Sequence, residues 1–153
     1  MTDPKMNDDF ARQSRQEWLV TNGIGGFAMG SVAGTLTRRY HGLLVAALKP
    51  PLGRTVLVSR MEERVTHGER TIDLSTNRWT DGSISPKGYR SICEFRLEGT
   101  IPVWTFDIGG ARLQKRIWME QGFNTTHIRY DLVDNAGPVT LLAEPWVTCR
   151  DYH

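Results

Sequence analysis

Cysteine is scarce in this chain, and long apolar runs are absent. The two cysteines, Cys93 and Cys149, lie far apart with no secretory apolar segment ahead of them. Free thiols in a reducing cytoplasm are therefore the simplest account, and a disulfide scaffold is not expected. The longest apolar run, residues 42–48, is broken by Lys49-Pro50-Pro51, far short of the roughly 18 residues that a membrane span needs. A soluble protein with no membrane partner follows. Charge of one sign is not in excess either, since the formal net charge is +2 with 24% charged residues. Basic residues are scattered among acids, which argues against nucleic acid as a partner. No serine sits in a G-x-S-x-G elbow and neither cysteine has a neighbouring histidine to lower its pKa, which argues against acyl transfer. No metal site is suggested and no cofactor is expected.

What is present points to β structure. At 153 residues the chain fits one domain with a core of its own. From Glu17 onward, short runs with period-two alternation are bounded by glycine, proline or asparagine, and helix signals are nearly absent. In residues 111–120, Leu113, Ile117 and Met119 share a face, with Lys115 the exception. Residues 124–134 repeat the pattern with Thr126, Ile128, Tyr130 and Leu132, which predicts a neighbouring strand. Gly109-Gly110 predicts a tight hairpin between two such runs, and His67-Gly68 and Asn135-Ala136-Gly137 predict two more. The fold class expected is all-β, an antiparallel β-sandwich of around ten strands over residues 16–153. Residues 1–15, polar and without apolar periodicity, read as a flexible tail.

The most site-like stretch is residues 22–44, NGIGGFAMGSVAGTLTRRYHGLL. Gly23, Gly25, Gly26, Gly30 and Gly34 permit positive φ or close backbone approach at an entropic cost that packing must offset. The glycines at 23–26 lead into strand-like sequence and not into a helix N-terminus that could hold a phosphate, and no lysine-hydroxyl pair completes a P-loop. Arg38, Arg39, Tyr40 and His41 then supply fork donors, an aromatic face and a titratable ring, the groups that hold polyhydroxylated or anionic ligands. A glycine-rich hairpin with solvated arginines is the alternative. For His41 the alternatives are a donor to a carbonyl in the turn and a ligand contact.

The same residues carry a resemblance. Glu17-Trp18-Leu19 runs into Thr21-Asn22-Gly23-Ile24-Gly25-Gly26-Phe27, followed by Thr37-Arg38-Arg39-Tyr40-His41-Gly42-Leu43-Leu44. Downstream come Pro51-Leu52-Gly53-Arg54, Glu62-Glu63, Pro86-Lys87-Gly88-Tyr89, Phe95-Arg96-Leu97, Ile101-Pro102-Val103-Trp104, Lys115-Arg116-Ile117-Trp118-Met119 and Asn124-Thr125-Thr126. In this order, from about Gln16 to His153, they resemble the N-terminal domain of bacterial and archaeal glycogen debranching enzymes of the amylo-α-1,6-glucosidase type. The resemblance implies a large β-sandwich truncated at its C-terminal end and a helical-barrel catalytic domain that follows it. It also implies α-glucan, as glycogen or limit dextrin, as the partner. Because the family name also covers 4-α-glucanotransfer, a transferase site in this chain is a further alternative.

Glycosidic hydrolysis usually needs two carboxyl groups flanking the scissile bond. Glu17, Glu62, Glu63, Asp73, Asp81, Glu94, Glu144 and Asp151 are available, yet none is marked by its setting. The resemblance places the glucosidase carboxylates in the following domain, so no catalytic residue is assigned here and this chain alone is expected to be inactive. Of the five tryptophans, Trp104 and Trp146 read as packing residues, and Cys93 is expected on the buried side of its strand. Trp79 lies in the polar loop over residues 75–90, where it is a candidate for glycan or domain contact. The site residues expected are Gly25, Gly26, Arg38, Arg39, Tyr40, His41 and Trp79, facing either glucan or the catalytic domain.

Overall fold

The computed structural model describes residues 4–134 and 137–153. It contains a helix α1 (Pro4–Arg15) and the strands β1 (Glu17–Thr21), β2 (Phe27–Ser31), β3 (Gly42–Lys49), β4 (Leu52–His67), β5 (Arg70–Asp73) and β6 (Thr76–Arg78). The strands β7 (Ile84–Lys87), β8 (Ile92–Glu98), β9 (Ile101–Asp107), β10 (Arg112–Met119), β11 (Thr126–Leu132) and β12 (Val139–Asp151) follow. All pairings are antiparallel. One sheet has the order β1-β2-β3-β4-β12 with β5 added beside β4, the second has β11-β10-β9-β8, and β6 and β7 form a small ribbon. The molecule is an all-β antiparallel sandwich.

Its core lies between the two large sheets. Trp18, Val20, Ala28 and Val65 from the first meet Trp104, Phe106, Leu113, Ile117 and Met119 from the second. Trp18 and Trp104 contact edge to face at 5.4 Å, an arrangement worth roughly 0.5–1.5 kcal/mol beyond area burial. Each indole N–H is satisfied, by the Ser31 and Val32 carbonyls respectively. The alternation in β10 is as expected, and its register with β11 places Leu113 opposite Leu132, Ile117 opposite Ile128 and Met119 opposite Thr126.

Lys115, the polar exception on that face, points into the sandwich. Its Nζ lies 2.7 Å from Glu63 of β4, and the Tyr130 hydroxyl donates a short bond to the same carboxylate. Burial and the adjacent carboxylate push the Tyr130 phenol far above its ordinary value, so it stays protonated and donates. The three groups pin β4 to β10 and β11 across the core.

The Gly109-Gly110 turn forms as the sequence predicts. Both glycines have positive φ, at 83° and 94°, as a primed two-residue hairpin demands, and Asp107 accepts both of their N–H groups. His67-Gly68 likewise joins β4 to β5. The third expected hairpin differs. Asn135 and Ala136 lie outside the described residues, but β11 and β12 on either side belong to different sheets, so the connection crosses between sheets.

Three other expectations are corrected. Residues 4–15 are helical, because Phe10 packs against Tyr89 at 5.0 Å beside Ala33, and the Gln13 carbonyl accepts the Ala33 N–H. The inward positions of α1 are Phe10 and the polar Gln13, so its sequence carries little apolar periodicity. Cys93 is exposed, not buried. A register shift between Ile92 and Glu94 inserts one residue, and Ile92 and Phe95, three positions apart, become the inward pair. Trp146 is 48% exposed and is covered on one face by the Arg60 guanidinium at 3.9 Å, so it is not a packing residue of the core.

Candidate functional site

The glycine-rich loop after β1 is built around Asn22. This side chain is fully buried. Its Oδ1 accepts the N–H groups of Ile24 and Gly26 at 3.1 and 2.9 Å, and its Nδ2 donates to the Phe123 carbonyl and Asn124 Oδ1 at 2.9 and 3.1 Å. Asn124 in turn bonds both backbone groups of Ala47 in β3. The loop is thereby fixed to the β10–β11 turn and to β3. Two glycines are required by this packing: at Gly25, φ is 99° and a Cβ would stand 2.6 Å from the Pro51 carbonyl. At Gly26 a Cβ would stand 2.5 Å from Asn22 Nδ2. Gly25 lets backbone approach backbone, and Gly26 leaves room for the Asn22 and Asn124 side chains. Sequence reasoning missed both asparagines, whose only signal was Asn22-Gly23 at a turn.

The Arg38–His41 segment divides its side chains among four environments. His41 is fully buried beneath the surface. Its Nδ1 accepts the Thr37 N–H at 3.1 Å, which leaves the proton on Nε2 to donate to Glu17 at 3.1 Å. Burial outweighs the Glu17 carboxylate and holds the imidazole below its ordinary value. Arg38 joins the same carboxylate at 2.6 Å. His41 is therefore bonded within the fold, to the Glu17 carboxylate and the Thr37 N–H, with the Thr35 backbone as a further partner. Arg39 is exposed, and its carbonyl accepts a bond from Arg150.

A pH dependence follows from His41. The unfolded chain takes a proton near pH 6.5 while the folded imidazole resists it, so stability is full above about pH 6.5 and falls as pH drops through the folded value. Urea unfolding from pH 7 to pH 5 should show that loss, and His41→Gln should flatten it. An unchanged slope in the variant would show that His41 is not its source.

Tyr40 lies on the outside of the first sheet. Its ring contacts Tyr152 at 5.4 Å and His153 at 5.7 Å, and Phe27 meets Tyr152 from the other side at 6.4 Å. Arg54 ties the cluster to the loop, with Nε donating to the Gly25 carbonyl at 2.8 Å and its guanidinium 5.5 Å from the Tyr152 ring. An open groove of about 510 Å³ runs beside these groups, lined by Leu19, Gly25, Gly26, Phe27, Tyr40 and Arg54 among others. Gly25, Gly26 and Tyr40 therefore share one surface. Arg38 instead borders a second hollow with Arg78. Trp79 is half exposed, and its indole N–H donates to the Ser85 carbonyl within its own loop; it does not line the groove.

Most candidate carboxylates are engaged in ion pairs or turns. Glu62 is held by Arg60 and Asn77, Asp73 by Arg64, and Glu94 by Arg96. Asp81 accepts the Ser83 N–H and Asp151 the His153 N–H. Glu144 lies directly across from Glu62 in the β4–β12 register. Among the described residues no group of three or more His, Cys, Asp or Glu is placed to hold a metal ion, and no helix is long and apolar enough to cross a membrane.

Comparison with known families agrees with this organisation, because the family described as glycogen debranching enzyme N terminal matches residues 16–153. The chain belongs to that family. No curated protein and no solved structure matches it. The matched span begins at Gln16, one residue beyond α1, and contains both sheets, the Asn22 loop and the Tyr40 groove. In this debranching-enzyme N-terminal domain the segment from Glu17 to Leu44 supplies β1, β2 and the start of β3 of the first sheet.

Proposed function

We propose that this domain positions an α-glucan chain, as in glycogen or a limit dextrin, for a debranching enzyme and braces that enzyme's helical-barrel catalytic domain. The observation that carries the reading is the Tyr40, Phe27, Tyr152 and His153 cluster beside the open groove. Pyranose C–H faces stack on flat side chains, while Arg54 offers donors to hydroxyl groups. In this reading hydrolysis at α-1,6 branch points belongs to carboxylates of the catalytic domain, and the purified chain releases no glucose from a limit dextrin.

A second reading, docking without glycan contact, is favoured by the exposed Leu19 beside Phe27 and Met29 on the groove wall. Apolar lining of this kind suits a protein surface. The two separate in one experiment. The chain is titrated with a branched limit dextrin and with linear maltooligosaccharides, and then with a catalytic domain supplied in trans. Glucan affinity that falls about tenfold in Tyr40→Ala, the loss of roughly one stacking contact, supports glucan positioning. No glucan binding together with Tyr40-dependent capture of the catalytic domain supports docking alone.

A further inference from the structure

A second hollow, of about 750 Å³, shares no lining residue with the groove. It lies where α1, the Thr37-Arg38 segment and the β6–β7 ribbon meet, and three arginines from these separate elements, Arg15, Arg38 and Arg78, border it. Arg38 is neutralised by Glu17 at 2.6 Å. Arg15 and Arg78 have no acidic partner among the described residues. Ser14, also on the wall, has its hydroxyl buried without a hydrogen-bond partner.

Arginines left unpaired around a concavity are costly to bring together, because like charges repel most where low-dielectric walls focus their field. Two terms oppose them. The C-terminal end of α1 carries about half a negative charge, and Asp81 lies next to the wall residue Gly82, although it is turned to the Ser83 N–H in its own turn. With Asp81 counted in full, the balance remains positive by about half a charge. Guanidinium forks match phosphate oxygens in a bidentate manner, while Phe10 and Ile84 supply an apolar wall of the kind that a sugar ring can cover.

We propose that this hollow binds the phosphomonoester of a sugar, with Arg15 and Arg78 as the phosphate-binding residues. Free sugar phosphate and a phosphate ester carried on a glucan present the same chemistry. The proposal does not rest on the Tyr40 groove, so either can fail alone.

The test uses the full chain at about 0.15 M salt, where diffuse surface attraction is screened beyond about 8 Å. Titration calorimetry with glucose 6-phosphate and with a maltooligosaccharide bearing one 6-phosphate should give saturable binding, whereas glucose should not bind. Stronger binding of the phosphorylated oligosaccharide identifies a glucan-borne ester, and equal binding identifies the free sugar phosphate. Arg15→Gln and Arg78→Gln should each weaken binding about tenfold or more, as expected for a charged hydrogen bond. Affinity should also fall below about pH 6 as the phosphate takes its second proton. The proposal is overturned if sodium chloride at matched ionic strength reproduces the heat, or if both variants, folded by circular dichroism, bind as the parent does. It is equally overturned if they leave glucose 6-phosphate affinity unchanged and weaken only the association with a catalytic domain added in trans.

Discussion

Replacing Glu63 by glutamine should destabilise the domain by about 3–5 kcal/mol, the usual cost of removing one partner from a buried ion pair. Glu63 and Lys115 are only 4% and 11% exposed at the side chain, so solvent cannot rescue the ammonium that remains. The Tyr130 hydroxyl would also lose a charged acceptor and keep at best a neutral one. Against a typical domain stability of about 5–15 kcal/mol, the loss would be about a fifth or more. Two companions sharpen the test. Tyr130→Phe removes one hydrogen bond to a charged group and should cost about 1.5–3 kcal/mol. The triple change Glu63→Leu, Lys115→Met and Tyr130→Phe should recover most of the loss, because apolar residues of similar size often equal or exceed a buried ion pair. Urea unfolding of the three variants decides the matter, and a Glu63→Gln domain within 1 kcal/mol of the parent would falsify the pinning role.

The same cluster shows what alternation can and cannot tell. Lys115 stood out in the sequence as an error on an apolar face, yet its partner Glu63 lies 52 residues earlier on another sheet. Period-two patterning fixes which way a side chain points but not what it meets. The β10–β11 pair and the Gly109-Gly110 turn were legible because strand period and turn chemistry act over a few residues. By contrast, the bulge at Cys93 shifts the phase by one position without any glycine or proline to announce it. The helix α1 was hidden for a related reason. Its buried face presents Phe10 and Gln13, and a polar residue facing inward looks like solvent exposure until Ala33 and Tyr89 are placed beside it.

The site was legible in its chemistry and not in its partition. Consecutive Arg38, Arg39, Tyr40 and His41 read as one functional surface, but their backbone sends them to a hollow, to solvent, to the groove and to the interior. Glu17, on the outward side of β1, decides much of this by binding both Arg38 and His41. Such a contact joins β1 to the start of β3, and nothing in either segment alone specifies it. Tyr152 and His153 complete the aromatic cluster from more than a hundred residues away, which local patterning does not reveal.

Asn22→Ala should be nearly as damaging as Glu63→Gln and should act on the groove itself. The substitution removes four side-chain hydrogen bonds at once, in a position with no solvent exposure. Orphaned buried groups cost about 1–3 kcal/mol each. Water entering the vacated space can satisfy some of them, so a net loss of about 3 kcal/mol is expected. Asn22→Asp should not rescue it, because the Phe123 carbonyl and Asn124 Oδ1 would then face an acceptor in place of a donor. The two amides held by Asn22 Oδ1, at Ile24 and Gly26, should exchange with solvent much faster in Asn22→Ala. Loosening this loop frees Gly25, whose carbonyl anchors Arg54, and Arg54 in turn supports the Tyr152 ring against Tyr40. Groove-dependent binding should therefore weaken along with stability, although Asn22 does not line the groove. If hydrogen exchange at Gly26 and the urea midpoint both match the parent in Asn22→Ala, then packing of the glycines alone fixes the loop and the asparagine is dispensable.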